Sequence, residues 1–509
     1  MKPLHFSFLL TLLGGSSQGF AETSPSRPNI VMIFTDDQRA DAVGYVGNTA
    51  IHTPNLDRLA KEGLVFTNCF VNTSICAVSR ANLLSGQYPH RHGIDDFFKT
   101  FSAAQFSRSV PARLRAAGYQ TAFFGKWGIG DTAEKTALGA GVFDYWAGQP
   151  KQSNFFHAAD CRYVHSDGFQ RPVNNLCDCP ADSRGKAGIE IRIGKANLTD
   201  PIHVDAVITP AHVRRFLEGR DSRKPFFMAL HFKGPHSPWT DWDPELEGVT
   251  QGKQMPIPAS ATQENADREP DVVKKSLGAE EGKSLLGNSK RHEQSVRDYY
   301  RSISSLDLGV ARILAQLEER GLTKNTVILF TSDNGHFSGE HGLGGKWLMY
   351  EPSLRVPGFL HDPRRPVATS SDRMVITTDF SATILALAGL RIPDDFSGLD
   401  LTRLLADPHS DWRADFLYSH PYSHKGVIPR TLGVRSKQHV YTRYLDPKPD
   451  FEQLFDLEKD PEELHNLTGA PEFAGLLKQL RARTDELYQQ TGPASQGERK
   501  KPSYPRSVK

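Results

Sequence analysis

The stretch Cys76-Ala77-Val78-Ser79-Arg80-Ala81-Asn82-Leu83-Leu84-Ser85-Gly86 sets a thiol just ahead of a Ser-Arg pair and an apolar run closed by glycine. Such a run places Cys76 at a helix N-terminus. Free backbone N–H groups and the macrodipole there favour an anion, either a thiolate or a bound oxyanion. Two acidic pairs stand directly after apolar runs: Asp36-Asp37 follows Ile30 to Phe34, and Asp333-Asn334 follows the run from Thr326 to Phe330. In an open parallel sheet the strand C-termini share one edge, where ligand sites form. Four oxygen-bearing side chains meeting there suit a hard divalent cation, Ca²⁺ or Mg²⁺. Read singly, each pair is a turn or a helix cap. Two of them at equivalent strand ends, in a chain that also carries the Cys76 segment, read as a metal site.

Three further segments offer groups that grip anions. Phe124-Gly125-Lys126-Trp127-Gly128 puts Lys126 at a strand end. His236 sits in the proline-flanked loop Gly234-Pro235-His236-Ser237-Pro238-Trp239. Lys346 follows the glycine-rich bend Gly342-Leu343-Gly344-Gly345. Each lies after a strand or in a Gly/Pro-shaped loop, where functional side chains on a rigid scaffold are found.

The elements that must position these groups follow from periodicity. Short apolar runs at Ile30 to Phe34, Gln120 to Phe124, Pro225 to Phe232 and Thr326 to Phe330 read as buried parallel strands. They alternate with helical patterns at Thr53 to Ala60, at Val110 to Ala117 and from about Ser295 to Arg320. Strands alternating with helices predict one α/β domain with a mostly parallel sheet between helices. Residues 149–205 and 245–291 lack that periodicity and read as insertions or long loops, the second partly mobile. Past Asp400 the pattern shifts to short strands and a final helix near Glu472 to Gln490, a small antiparallel sheet with a helix. The expected layout is a catalytic α/β domain over 22–405, a C-terminal α+β subdomain over 406–491 and a disordered tail over 492–509.

Composition narrows the class. The chain has 509 residues, and its 61 Lys+Arg against 59 Asp+Glu leave no bulk charge for nucleic acid or an anionic membrane. Lys2, the apolar run Phe6 to Leu13 and small residues up to Ala21 read as a secretory signal over 1–21, so the protein is expected to be secreted or periplasmic. No later stretch reaches the ~18 apolar residues of a membrane span, so stable insertion is not expected. Export permits disulfides. Cys161, Cys177 and Cys179 cluster, and a bridge between Cys161 and one of the other two is less strained than one between Cys177 and Cys179.

Taken together, these motifs resemble the type I sulfatases of the alkaline phosphatase superfamily. The likeness rests on Asp36-Asp37, the Cys76-to-Gly86 signature, Asp333-Asn334-Gly335, Lys346-Trp347, and Leu454-Phe455-Asp456-Leu457 with Asp460-Pro461. It implies an alkaline-phosphatase-like fold. It further implies that Asp36, Asp37, Asp333 and Asn334 hold Ca²⁺, with the side chain at 76 also on the metal. Cys76 would be oxidised by a maturation enzyme to formylglycine, whose hydrated aldehyde is the nucleophile. Arg80 would bind that nucleophile, and Lys126, His236 and Lys346 would grip the sulfate and assist the leaving oxygen. Two positions depart from the family pattern: Val78 stands where proline is usual, and Gly128 where histidine is usual. Val78 bears on the making of the nucleophile. Gly128 bears on its recycling, for which water or His92 is a substitute.

The implied activity is hydrolysis of sulfate esters, with a sulfated carbohydrate as substrate. His90, Arg91 and His92, with Trp239 and Trp242, are candidates to read the sugar, as basic and aromatic rims suit sulfated rings. Two alternatives stay open. One is a phosphodiesterase or phosphonate monoester hydrolase using the same cations; the other is a non-catalytic protein that binds sulfated glycan.

Overall fold

The computed structural model describes residues 27–149 except 131–140, then 152, 155–156, 164–165, 190–193 and 196–199, and 203–492 except 425. The expected signal over 1–21, the three clustered cysteines and nearly all of the expected tail lie outside the described residues.

Nine strands form the central sheet: β1 Asn29–Thr35, β2 Leu64–Phe66, β3 Gln120–Lys126, β4 Tyr145–Gln149, β5 Val164–His165, β6 Phe226–His231, β7 Thr326–Ser332, β8 Gly358–His361 and β9 Thr369–Ser371. Their spatial order is β9-β2-β8-β7-β1-β6-β3-β4-β5. The pairs β1–β7, β1–β6, β3–β6, β3–β4 and β2–β9 are parallel, while β7–β8, β2–β8 and β4–β5 are antiparallel. The central strands are buried along their whole length, which is why they read as continuous apolar runs and not as alternating ones.

Register aligns the ends that matter. Thr35 faces Ser332, Phe34 faces His231, and Gly125 faces His231 on its other side. The residues leaving β1, β7, β6 and β3 therefore emerge side by side on one sheet edge. Helices cover both faces: α1 Pro54–Lys61, α2 Cys76–Ser85, α3 Thr209–Gly219 and, beyond three short helices introduced below, the long helix Ser289–Glu319 and the helix Thr377–Leu387. Every residue of α2 is buried. It ends at Gly86 with φ 68°, a left-handed stop that glycine adopts without strain.

The segment 245–291 is not the loop its polarity suggests. It carries α4 Gln263–Arg268, α5 Asp271–Lys274 and α6 Leu277–Gly282, with Thr262 and Ser276 accepting N–H groups at the starts of α4 and α6. Glu269, just after α4, pairs with His341 Nδ1 at 2.7 Å and accepts the Tyr350 hydroxyl at 2.9 Å. Gly282 lies so close to the 342–343 backbone that a Cβ there would come within 2.0 Å of the Gly342 carbonyl. The segment is thus clamped onto the loop that carries Lys346. Its low hydrophobicity reflects helices too short to present a full apolar stripe.

Beyond residue 400, β10 Asp415–His420, β11 Thr431–Ser436, β12 His439–Tyr444 and β13 Phe451–Asp456 form an antiparallel sheet in chain order. The final helix Ala474–Thr491 buries Leu477, Leu480 and Leu487 against Leu417, Val434, Tyr441 and Leu454 of that sheet. No helix among the described residues is long and apolar enough to cross a membrane.

Candidate active site

The sheet edge gathers most of the expected groups into one buried cluster. Asp36 follows β1, Asp333 and Asn334 follow β7, Lys126 ends β3, and His236 lies on the loop after β6. Backbone bonds from Asp36 N–H to the Gly234 carbonyl (3.1 Å) and from Asp333 N–H to Thr35 (3.0 Å) tie these strand ends together. Asp37 adopts φ 68° and donates its N–H to Asp333 Oδ1 at 3.2 Å. Such a left-handed aspartate costs roughly 1–3 kcal/mol, tolerable where the surroundings over-determine it.

Arg80, fully buried on the first turns of α2, is the hub of the cluster. It donates Nε to Asp333 Oδ2 at 3.0 Å, and one terminal nitrogen forms ion pairs with the same oxygen at 2.8 Å and with Asp36 Oδ2 at 3.5 Å. Its other terminal nitrogen donates to the Lys126 carbonyl at 2.8 Å and meets His231 Nδ1 at 3.2 Å. Lys126 Nζ bonds Asp36 Oδ2, and Lys346 Nζ bonds Asp37 Oδ1. Asn334 Nδ2 donates to Asp37 Oδ1 at 2.6 Å, and His236 Nε2 stands 3.7 Å from Asp37 Oδ2.

The carboxylates respond differently to this crowding. Burial raises Asp36, but Lys126, His236, Arg80 and Lys346 outweigh it and hold the group well below the usual range. Asp333 goes the other way, pushed up to about 7 by burial and the neighbouring Asp36 charge. Burial pulls Lys346 down, yet Asp37 and then Cys76 and Asp36 leave it raised, so it is an ammonium at neutral pH. His236 is pulled down to about 4, chiefly by burial, and is neutral there.

Metal fit can be judged from the donor set. The ligand atoms of Asp36, Asp37 and His236 lie within 4.8 Å of one another. Asp36 Oδ1 and Asn334 Oδ1 are buried with no hydrogen-bond partner. Three carboxylates are balanced by Arg80, Lys126 and Lys346, but one of them is crowded towards protonation. Hard oxygen donors, orphaned oxygens and an over-crowded carboxylate fit a divalent cation. With it the cluster carries a net +2 and attracts an anion.

Cys76 is a free, buried cysteine at the start of α2, close enough to Arg80 and Lys346 to interact electrostatically with both. Val78 sits two residues on, fully buried against the cluster of Ile75, Trp347 and Ile428. The first turn closes with Ser79 N–H on the Ile75 carbonyl at 2.9 Å. Val78 is thus the third residue of the helix and part of its first turn.

Gly128 holds φ 74°, and a Cβ there would meet Arg80 Cδ at 3.0 Å and Lys126 Cε at 3.3 Å. The position lies against the cationic centre, but its backbone is suited to glycine. Gly128→Ala is expected to cost about 1–2 kcal/mol through the left-handed backbone alone, read as a lower urea midpoint with unchanged slope.

The five expected substrate readers are engaged in contacts within the chain. His92 is 2 % exposed; its Nε2 faces the Asn82 side chain at 2.8 Å and its Nδ1 accepts Ile94 N–H at 3.0 Å. It can neither touch sugar nor recycle the nucleophile. The turn after Gly86 carries His90 to Thr491 and Arg91 to the Gly492 and Asp395 carbonyls, so these two basic residues fasten the end of the C-terminal helix. Trp239 donates its indole N–H to Pro235 and packs edge-on against Tyr299 and His336, bracing the His236 loop instead of facing a ligand. The Trp242 ring is covered by the Arg301 guanidinium.

Burial, then the nearby His90, lowers His92 from 6.5 to about 3. The unfolded chain takes up a proton below pH 6.5 while the folded chain does not until about pH 3. The stability from neutral His92 is therefore complete above pH 6.5 and shrinks on acidification, by about 2 kcal/mol at pH 5. His203, His236, His336 and His420 are lowered in the same way, so denaturant titrations at pH 7 and pH 5 should show a loss in both proteins that is about 2 kcal/mol smaller in His92→Asn than in the native chain.

Several groups in the site were not singled out from the sequence. His231 ends β6 behind Arg80, and Gln152 donates to Asp36 Oδ2 at 3.1 Å. Lys233 lies 3.5 Å from the centre of the Phe155 ring and is lowered to about 8 by burial. Asp205, accepting the Lys233 and Gly234 N–H groups, fixes the turn after β6. Of these, only His231 had a readable signal, a polar residue closing a buried strand.

Comparison with known proteins identifies this arrangement. The profile of the sulfatase family matches residues 28–390, and that of the C-terminal region of N-sulphoglucosamine sulphohydrolase matches 339–490. An N-acetylglucosamine-6-O-sulfatase of Bacteroides thetaiotaomicron is 29% identical, covering 91% of this chain and 87% of its own. An arylsulfatase of Clostridium perfringens is 29% identical over 89% of this chain and 93% of its own. A solved structure in complex with its substrate, D-glucosamine-2-N,6-O-disulfate, superimposes with a TM-score of 0.73 at 26% identity, covering 91% of this chain and 98% of the other. The alkaline-phosphatase-like fold of the sulfatases is thus the fold seen here. The chain belongs to the sulfatase family, whose members are sulfuric ester hydrolases.

Proposed function

We propose that this chain is an exported sulfatase that hydrolyses a sulfate ester of a carbohydrate, using formylglycine made from Cys76 and a bound Ca²⁺. The observation that carries this reading is the buried cluster of Asp36, Asp37, Asp333 and Asn334 ringed by Arg80, Lys126 and Lys346 at the N-terminus of the Cys76 helix. The named relatives supply the substrate class, since glucosamine sulfates recur among them. The amino-terminal pattern supports export.

Asp36, Asp37, Asp333 and Asn334 would hold the cation, which supplies charge stabilisation for the sulfuryl oxygens. Formylglycine at 76 would supply a hydrated aldehyde, with one hydroxyl as nucleophile towards sulfur and a second to assist release of the sulfate. Arg80 fixes Asp333 and Asp36 so that their oxygens face the metal position. Lys126 and Lys346 bring fixed positive charge to the sulfuryl oxygens as the S–O bond to the sugar breaks. Lys346, firmly protonated, delivers its proton to the departing alkoxide, a base strong enough to take it. Neutral His236 accepts a hydrogen bond from that side of the site, and a proton from the second hydroxyl.

The fold-level likeness to a phosphonate monoester hydrolase of Agrobacterium radiobacter, with a TM-score of 0.66, keeps one alternative in the test. Paired assays on aryl sulfate and aryl phosphate esters should favour sulfate by orders of magnitude; the reverse order would replace the sulfatase reading. Chelation should abolish turnover and lower the thermal midpoint, both restored by Ca²⁺. Full activity after exhaustive chelation would remove the metal from the account.

A further inference from the structure

Three segments far apart in sequence meet over the N-terminus of the Cys76 helix. Phe97 comes from the turn after α2, Leu277 begins α6, and Tyr422 and Val427 lie in the β10–β11 connection. All four pack on Ile75, Val78, Trp347 and Ile428, the apolar collar around Cys76. Leu277 N–H donates to the Val427 carbonyl at 2.7 Å, joining two of the segments directly. The Phe97 and Tyr422 rings meet edge to face with centroids 5.3 Å apart, and both stay partly exposed. Tyr422 is followed by solvent-facing His424, whose Nδ1 lies 3.3 Å from the tyrosine hydroxyl.

Where this cluster opens to solvent, on the Lys346 side, stands exposed Glu281. Its side chain crosses the Gly344–Gly345 backbone so closely that a Cβ on Gly345 would come within 2.3 Å of Oε2. Any side chain at 345 would displace it. The residue is exposed as a whole, but partial burial raises its carboxyl against the pull of Lys346, with Asp37 adding to the rise, and the carboxyl takes no hydrogen bond from a described residue. An unpaired carboxylate beside the cationic centre weakens the grip on the scissile sulfate unless it serves the substrate in another way.

We propose that this opening is a subsite for a sugar ring with one sulfate, in which Phe97 and Tyr422 face the ring and Glu281 accepts a hydroxyl or amide N–H beside the scissile ester while repelling a second anion there. The inference rests on the sulfatase reading for its sulfate. It adds selection for a neutral group next to the ester. Aromatic side chains give large contact area to the apolar face of a ring, and one fixed carboxylate gives orientation. A like charge held beside a bound anion discriminates by repulsion.

The test compares 6-O-sulfated N-acetylglucosamine with D-glucosamine-2-N,6-O-disulfate, by calorimetric binding to Cys76→Ala protein and by kcat/KM on active enzyme. The first ligand should be favoured by about tenfold or more, a difference of roughly 1.4 kcal/mol. Adding Glu281→Gln should narrow that ratio at least severalfold by improving the disulfate. Tyr422→Ala should weaken both sugars without altering inhibition by inorganic sulfate. Equal affinity for the two sugars, binding of neither, or a ratio unmoved by Glu281→Gln would overturn the subsite. Because binding is read without turnover, an intact affinity ratio with no hydrolysis of any sulfate ester would sink the functional reading alone.

Discussion

Cys76→Ala is expected to lower kcat/KM on sulfate esters by roughly four orders of magnitude or more, the loss typical of removing a nucleophile. Little else should change. Position 76 is the first residue of α2, where alanine is an excellent helix former, and the thiol makes no hydrogen bond that the fold depends on. The thermal midpoint should therefore stay within a few degrees, and inorganic sulfate should still bind through Arg80's neighbours, Lys126 and Lys346. Steady-state kinetics with a parallel melting curve check this. A variant that retains turnover would place the nucleophile elsewhere.

Arg80→Met should act on stability as well as rate. Arg80 bridges Asp333 and Asp36 at full burial, so its loss leaves two carboxylates facing each other without their main shared cation. Removing one partner of such a buried network typically costs about 3–5 kcal/mol. Asp333, already pushed up by burial and by Asp36, should then hold its proton still more firmly and donate to a metal more weakly. Urea unfolding should show the loss of stability, and a Ca²⁺ titration of the remaining activity should shift to higher concentration. Added Ca²⁺ should recover part of the stability, because it replaces the missing charge at the same carboxylates. A variant of native stability would mean that Arg80 is not the hub described above.

The clustering of the candidate residues at one sheet edge was legible because they are tied to strand ends. Asp36-Asp37, Asp333-Asn334 and Lys126 each close an apolar run, and parallel neighbours bring such ends together whatever the loops do. His236 and Lys346 follow by the same logic, one loop further on. The misplaced residues failed for a different reason. His90, Arg91 and His92 lie within a few residues of the Cys76 helix, but that helix runs ten residues into the core before Gly86 turns the chain. Proximity in sequence to its N-terminus therefore says nothing about proximity in space. Trp239 lies three residues beyond His236, yet its indole is satisfied within its own loop.

The short helices of 245–291 left a local signal in the capping residues Thr262 and Ser276, but no periodicity to follow. Glu281 and Tyr422 were invisible in a stronger sense. Each reaches the opening only because α6 and the β10–β11 connection pack on the collar around Cys76, a long-range contact that no local pattern encodes. What sequence could raise and not resolve was the effect of Val78 and Gly128. Val78 packs in the first turn of α2, and Gly128 sits on the Arg80–Lys126 pair in a backbone suited to glycine.

Whether Cys76 becomes the nucleophile is tested most directly by mass spectrometry of the peptide spanning Cys76, from protein isolated from its own source. The account predicts loss of the thiol mass in favour of an aldehyde, trapped by a hydrazine reagent, in a fraction that tracks sulfatase activity between preparations. An intact thiol at Cys76 in fully active protein would contradict it.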